Sequence, residues 1–132
     1  MKFLKSPKPW GLAFIFWAFT LYFLSSFSKP IPVDGPEIPN LDKILHFGYF
    51  FGGAILFCLW LDLRRSSSKL SLSRLLFPFL LFCAIGALDE YHQTCTPGRS
   101  GNDFHDWLAD ILGASTGIYI SALLHPFLLK RF

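Results

Sequence analysis

Between Asp89 and Asp110 the chain reads D-E-Y-H-Q-T-C-T-P-G-R-S-G-N-D-F-H-D-W-L-A-D. Asp89 and Glu90 are adjacent, and Asp106 and Asp110 are four residues apart. Carboxylates forced together separate in pKa, so one can serve as general acid while another serves as base. His92 lies beside the first pair, and a second histidine, His46, stands upstream four residues after Asp42. Histidine moves protons near neutral pH or, together with carboxylates, ligates a divalent cation. Arg99 can clamp a phosphate or carboxylate through two parallel hydrogen bonds. The catalytic candidates are therefore His46, Asp89, Glu90, His92, Asp106 and Asp110. Asp42, Lys43, Gln93 and Arg99 are the candidates for binding substrate. A divalent cation is an open option, and the residues do not name the metal.

The elements that must position these groups are apolar. The chain has 132 residues, 52% of them hydrophobic, with 16 Phe and 4 Trp. Its mean hydropathy is +0.43. Only 16% of residues are charged, too few to cover a soluble core of this composition. A single domain over 1–132 is expected, all-α, an integral membrane bundle of four transmembrane helices. The three cysteines, Cys58, Cys83 and Cys95, imply no disulfide framework. Nothing in the charge pattern suggests nucleic acid as a partner, and the oligomeric state is left open.

The spans are expected at about 10–27, 42–61, 70–93 and 103–129. Residues 10–27 carry no charge and approach the ~20 residues needed to cross ~30 Å of hydrocarbon. A cleavable signal peptide competes for this run, because lysines precede it and Ser26-Phe27-Ser28 loosely resembles a cleavage site. Its length and aromatic content favour a span. Lys29–Asn40, with four prolines, reads as a loop, and Asn40 can cap the second helix. Asp62, Arg64, Arg65 and Lys69 read as the next loop, with Arg74 able to snorkel toward an interface and Pro78 as a kink. Asn102 can cap the fourth helix, and His125-Pro126 reads as its finish.

Charge placement decides orientation. Nine of the twelve basic residues (Lys2, Lys5, Lys8, Arg64, Arg65, Lys69, Arg74, Lys130 and Arg131) fall on one side of the four spans. Lys29, Lys43 and Arg99 fall on the other. The positive-inside rule then puts both termini in the cytoplasm and the Asp89–Asp110 stretch at the outer face.

Helical periodicity aligns the polar residues. Asp42, His46, Tyr49 and Gly53 form one stripe; Gly86, Asp89, Glu90 and Gln93 form a second. Asp103, Asp106, Asp110, Gly113, Gly117 and Ser121 form a third, and its G-x-x-x-G spacing permits close helix approach. The acids should therefore face the bundle, with a pocket between helices two, three and four. Asp110 lies ~12 Å below the fourth helix's start. Six outer acids stand against Lys43 and Arg99 alone. Some acids must be protonated, the histidines charged, or a cation bound. Asp42 and Asp103 also suit helix starts, and Cys95 reads as incidental.

These motifs are similar to those of the VanZ-like family: D-K-x-x-H-F at 42–47, D-E-x-H-Q at 89–93, P-G-R at 97–99 and D-x-x-x-D-x-x-G at 106–113. Where the family often has Asn, this chain has Asp110. The resemblance implies a bacterial inner-membrane protein of four spans, and a link to low-level resistance to the glycopeptide teicoplanin. Three functional classes stay open. The site could hydrolyse or transfer an envelope lipid or lipid-linked precursor. It could bind an envelope lipid or drug head group, or a partner protein, without turnover, with membrane lipids as the surrounding partners. Or the polar residues could form a structural ion-pair network; transport is a weaker fourth.

Overall fold

The computed structural model describes residues 5–28, 39–65 and 71–131. The loop expected over Lys29–Asn40 falls outside them up to residue 38. So do Lys2, Lys29, Lys69 and the side chains of Lys130 and Arg131. The described chain is all-helical: α1 (Pro7–Ser25), α2 (Leu41–Arg65), α3 (Leu72–Thr94) and α4 (Phe104–Arg131). Ser6 caps α1 by accepting from the Lys8 backbone N–H at 3.4 Å, and Pro7 takes the first helical position, where no N–H is needed. Asp103, not Asn102, caps α4: its Oδ1 accepts from the His105 backbone N–H at 2.7 Å. That bond holds the Asp103 carboxyl below the usual aspartate range. Asn40 and Asn102 instead take left-handed backbone conformations just before their helices, with φ of 58° and 65°. Asparagine tolerates this region better than most residues.

Among the described residues, three helices are long and apolar enough to cross a membrane: α2, α3 and α4 as far as Pro126. The expectation of four such helices is met for these three. α1 is shorter, at 19 residues, and carries Lys8, two prolines, Thr20, Tyr22 and two tryptophans, which dilute its hydropathy.

α2 and α4 form the most extensive pair. The stripe of small residues explains why. A Cβ on Gly113 would collide with the Phe47 carbonyl group, and one on Gly117 would lie 2.6 Å from the Phe51 carbonyl oxygen. Two helix backbones can meet this closely only where side chains are missing. Trp17 of α1 lies against Gly53 and donates its indole N–H to the Tyr49 carbonyl at 3.0 Å. The core gathers Trp17, Phe50, Phe57 and Phe82, with Ala54, Ala114 and Ile118 filling between them. Outward, Leu12, Ile15, Phe16, Phe19, Leu72, Leu88, Leu112 and Tyr119 are each more than half exposed. An apolar exterior over a packed aromatic centre suits lipid as the surrounding medium.

Candidate functional site

α2 and α4 start at the same end of the bundle, and α3 ends there. This brings the expected site residues to one end. Lys43 on α2 donates to Asp42 and Asp106, each at 2.9 Å, and lies 3.7 Å from Asp103. One ammonium thus ties the beginnings of two helices together. One turn deeper, His46 Nδ1 stands 2.9 Å from Asp110 Oδ1. With Asp110 ionised the carboxylate can only accept, so the proton of this bond lies on His46 Nδ1; in the neutral ring Nε2 then keeps the free lone pair. Asp110 is fully buried, and its second oxygen, Oδ2, has no hydrogen-bond partner among the described residues.

α3 contributes the other half. Asp89 accepts from the Ser25 hydroxyl of α1 and from Gln93 Nε2 at 2.9 Å. Glu90 Oε2 accepts from the Asp103 backbone N–H at 2.7 Å, and Glu90 Oε1 from Gln93 Nε2 at 3.4 Å. Gln93 Oε1 in turn accepts from Arg99 Nη2 at 2.7 Å, while Arg99 Nη1 reaches the Phe27 carbonyl at 3.3 Å. Arg99 therefore touches the buried carboxylates through a neutral amide and not directly. Asp89 and Glu90 are buried, and no Lys or Arg among the described residues pairs with either. His46, Asp89 and Glu90 each offer one ligand atom within 4.8 Å of the others.

A cavity of about 480 Å³ opens beside this cluster. Its polar lining is Ser25, Asp42, His46, Asp89, Gln93 and Arg99, and its apolar lining includes Leu21, Leu24, Ile44 and Leu45. The cavity lies between α1, α2 and α3, with no α4 residue lining it, so the pocket expected between helices two, three and four is displaced. The reason is the close α2–α4 contact, which leaves no room on that side. Asp106 and Asp110 do not line the cavity: Asp110 bonds the lining His46, and Asp106 is linked by Lys43 to the lining Asp42. His92 is also set apart: its Nε2 meets the Ser26 hydroxyl at 3.0 Å and its ring packs on Tyr22, 4.6 Å between centroids. His105 lies exposed in the first turn of α4. Cys95 is exposed as well.

A second polar cluster sits at the other end, and the sequence reading missed it. α2 runs on to Arg65, so Asp62 belongs to the helix and not to a loop. Arg74 Nε donates to Asp62 Oδ1 at 2.5 Å, and Arg74 Nη1 meets His125 Nε2 at 2.9 Å. Arginine cannot accept, so His125 accepts there and turns its Nδ1 proton to Asp62 Oδ2 at 3.0 Å. All three are buried. Arg74 does not snorkel outward; it closes a ring joining α2, α3 and α4. The signal was present in helical order, since the end of α2, the start of α3 and the end of α4 must share one end of an antiparallel bundle.

Among the described residues, these features define a helical bundle with three membrane-length helices and a buried, carboxylate-rich cluster beside a largely apolar cavity. A family model described as VanZ/LLP1 matches residues 2–125, and the chain belongs to that family. No curated protein and no solved structure matches it significantly.

Proposed function

We propose that the cavity receives the polar head of an envelope lipid or lipid-linked precursor from the outer leaflet of a bacterial cytoplasmic membrane. The observation that carries this reading is the division of the cavity wall. Leu21, Leu24, Ile44 and Leu45 offer an apolar face, and Arg99, Gln93, His46 and Asp89 offer a polar one. An amphiphile needs both at once. The orientation rests on the basic residues, which favour both termini in the cytoplasm. In this reading α1 is the fourth span; its exposed Leu12, Ile15, Phe16 and Phe19 support a lipid-facing side. The start of α2 adds a positive helix end on the cavity side, which favours an anionic head such as a phosphate. Engagement of envelope lipid by the protein is a route by which glycopeptide susceptibility would change.

Lipid retained by the protein after purification in mild detergent tests the reading. Mass spectrometry should find an anionic amphiphile enriched over the bulk membrane, with the enrichment reduced in Arg99→Ala. A retained pool identical to bulk lipid in both proteins would count against it.

A second reading, hydrolysis or transfer at the same head group, is favoured by the nearness of His46 to Asp89 and Glu90. There a carboxylate or the His46 ring would take a proton from the attacking group and return it to the leaving group. Turnover of the retained lipid, lost in Glu90→Gln, distinguishes this from binding alone.

A further inference from the structure

We propose that His46, Asp89 and Glu90 form a site for one first-row divalent transition-metal ion, with Asp110 as the residue that positions His46. Their ligand atoms lie within 4.8 Å of one another. That is close to the spread of donors around an ion with bonds of ~2.0–2.2 Å, and small side-chain rotations close the remainder. The set combines one imidazole with two carboxylates, a donor mix suited to zinc- or manganese-like ions and less to calcium or magnesium.

Three further features point to a cation. First, the hydrogen bond from His46 Nδ1 to Asp110 leaves Nε2 free, which is how a carboxylate presets a metal-binding histidine. Second, Asp89 and Glu90 are adjacent and buried, and no Lys or Arg among the described residues pairs with them. Among the described residues, the Lys and Arg at this end of the bundle are engaged elsewhere: Lys43 on Asp42 and Asp106, Arg99 on Gln93 and a carbonyl. Third, the buried Asp110 Oδ2 has no hydrogen-bond partner among the described residues, and Asp110 itself is bonded only to His46. A divalent ion would neutralise this group from the centre. His46 and Asp89 line the cavity, so the ion would have an entry path and a coordination position open to it. An ion there would also reconcile an acidic cavity floor with an anionic head group, by bridging the two. The site itself stands on these side chains and does not depend on the head-group reading.

The test uses the full chain in detergent, stripped with chelator, loaded with Zn²⁺ or Mn²⁺ alone and desalted before metal analysis. Wild type should retain about one ion per chain, the exposed His105→Ala variant the same. Asp110→Ala should weaken affinity by ~10–100-fold, as loss of a residue that orients a ligand does. Asp89→Asn combined with Glu90→Gln should abolish retention. Should the double variant fail to fold, pulsed EPR of Mn²⁺-loaded wild type decides alone: a nitrogen coupling from one imidazole is expected. No retained ion in wild type, no nitrogen coupling, or loss of the ion in His105→Ala would overturn the site. Metal retained while lipid binding fails would support this site and count against the head-group reading only.

Discussion

His46 Nδ1 and Asp110 Oδ1 stand 2.9 Å apart across the α2–α4 seam, with the aspartate fully buried. The contact exists because Gly113 and Gly117, one and two turns further along α4, let the two backbones meet. Packing and polar chemistry thus share one helix face. Asp110→Asn keeps an oxygen for the His46 N–H and removes a charge whose second oxygen has no partner among the described residues. Its thermal stability in chelator should equal or exceed wild type. Asp110→Ala leaves the buried imidazole unsatisfied and should cost about 1–3 kcal/mol. Thermal unfolding in detergent checks both.

The two ends of the bundle should respond oppositely to charge removal. Asp62 is held by Arg74 at 2.5 Å and by His125 at 3.0 Å. Arg74→Met strands that carboxylate in the interior and should cost about 3–5 kcal/mol. Asp89→Asn or Glu90→Gln removes a buried charge that no described Lys or Arg balances. In chelator these variants should be as stable as wild type or more so. Adding metal should reverse that order, because wild type alone gains a ligand.

Gly113→Val tests the seam directly. A Cβ there meets the Phe47 backbone, which cannot move aside as a flexible side chain can. The helices must separate, at a cost of at least ~1–3 kcal/mol. Lower melting temperature and a broadened gel-filtration peak are the expected signs. Gly52→Ala is the control, since a Cβ at Gly52 meets nothing within 4 Å.

Orientation can be measured without any assay of function. Ser100→Cys should react with an impermeant maleimide in intact cells, and Ser67→Cys only after permeabilisation. The reverse pattern would move the cavity to the cytoplasmic side and remove the envelope reading.

The polar stripes of α3 and α4 were legible in the sequence because helical periodicity is local, and each stripe lies within one helix; on α2, Asp42 is exposed and does not face the bundle as expected. Gly86, Asp89, Glu90 and Gln93 are all buried, as are Asp106, Asp110, Gly113, Gly117 and Ser121. What was not legible depends on how helices meet. Ser25 binds Asp89 from 64 positions away, although Ser25 lay next to a supposed cleavage site. The cavity moved to the α1 side because α2 and α4 close against each other, which no single helix reports. Asp62, Arg74 and His125 each looked like helix-end residues taken singly; only their common end of the bundle makes them a ring.

Gly48 offers the most direct test of the cavity as a head-group site. It lines the cavity, and a Cβ there meets nothing within 4 Å, so Gly48→Trp should fill the space with the fold kept. Binding of a prenyl phosphate to wild type and to Gly48→Trp can be compared by native mass spectrometry from nanodiscs. Saturable binding to wild type, weakened at least ~10-fold in the filled variant, is the predicted result. Equal binding to both, with equal thermal stability, would contradict a head-group site in this cavity.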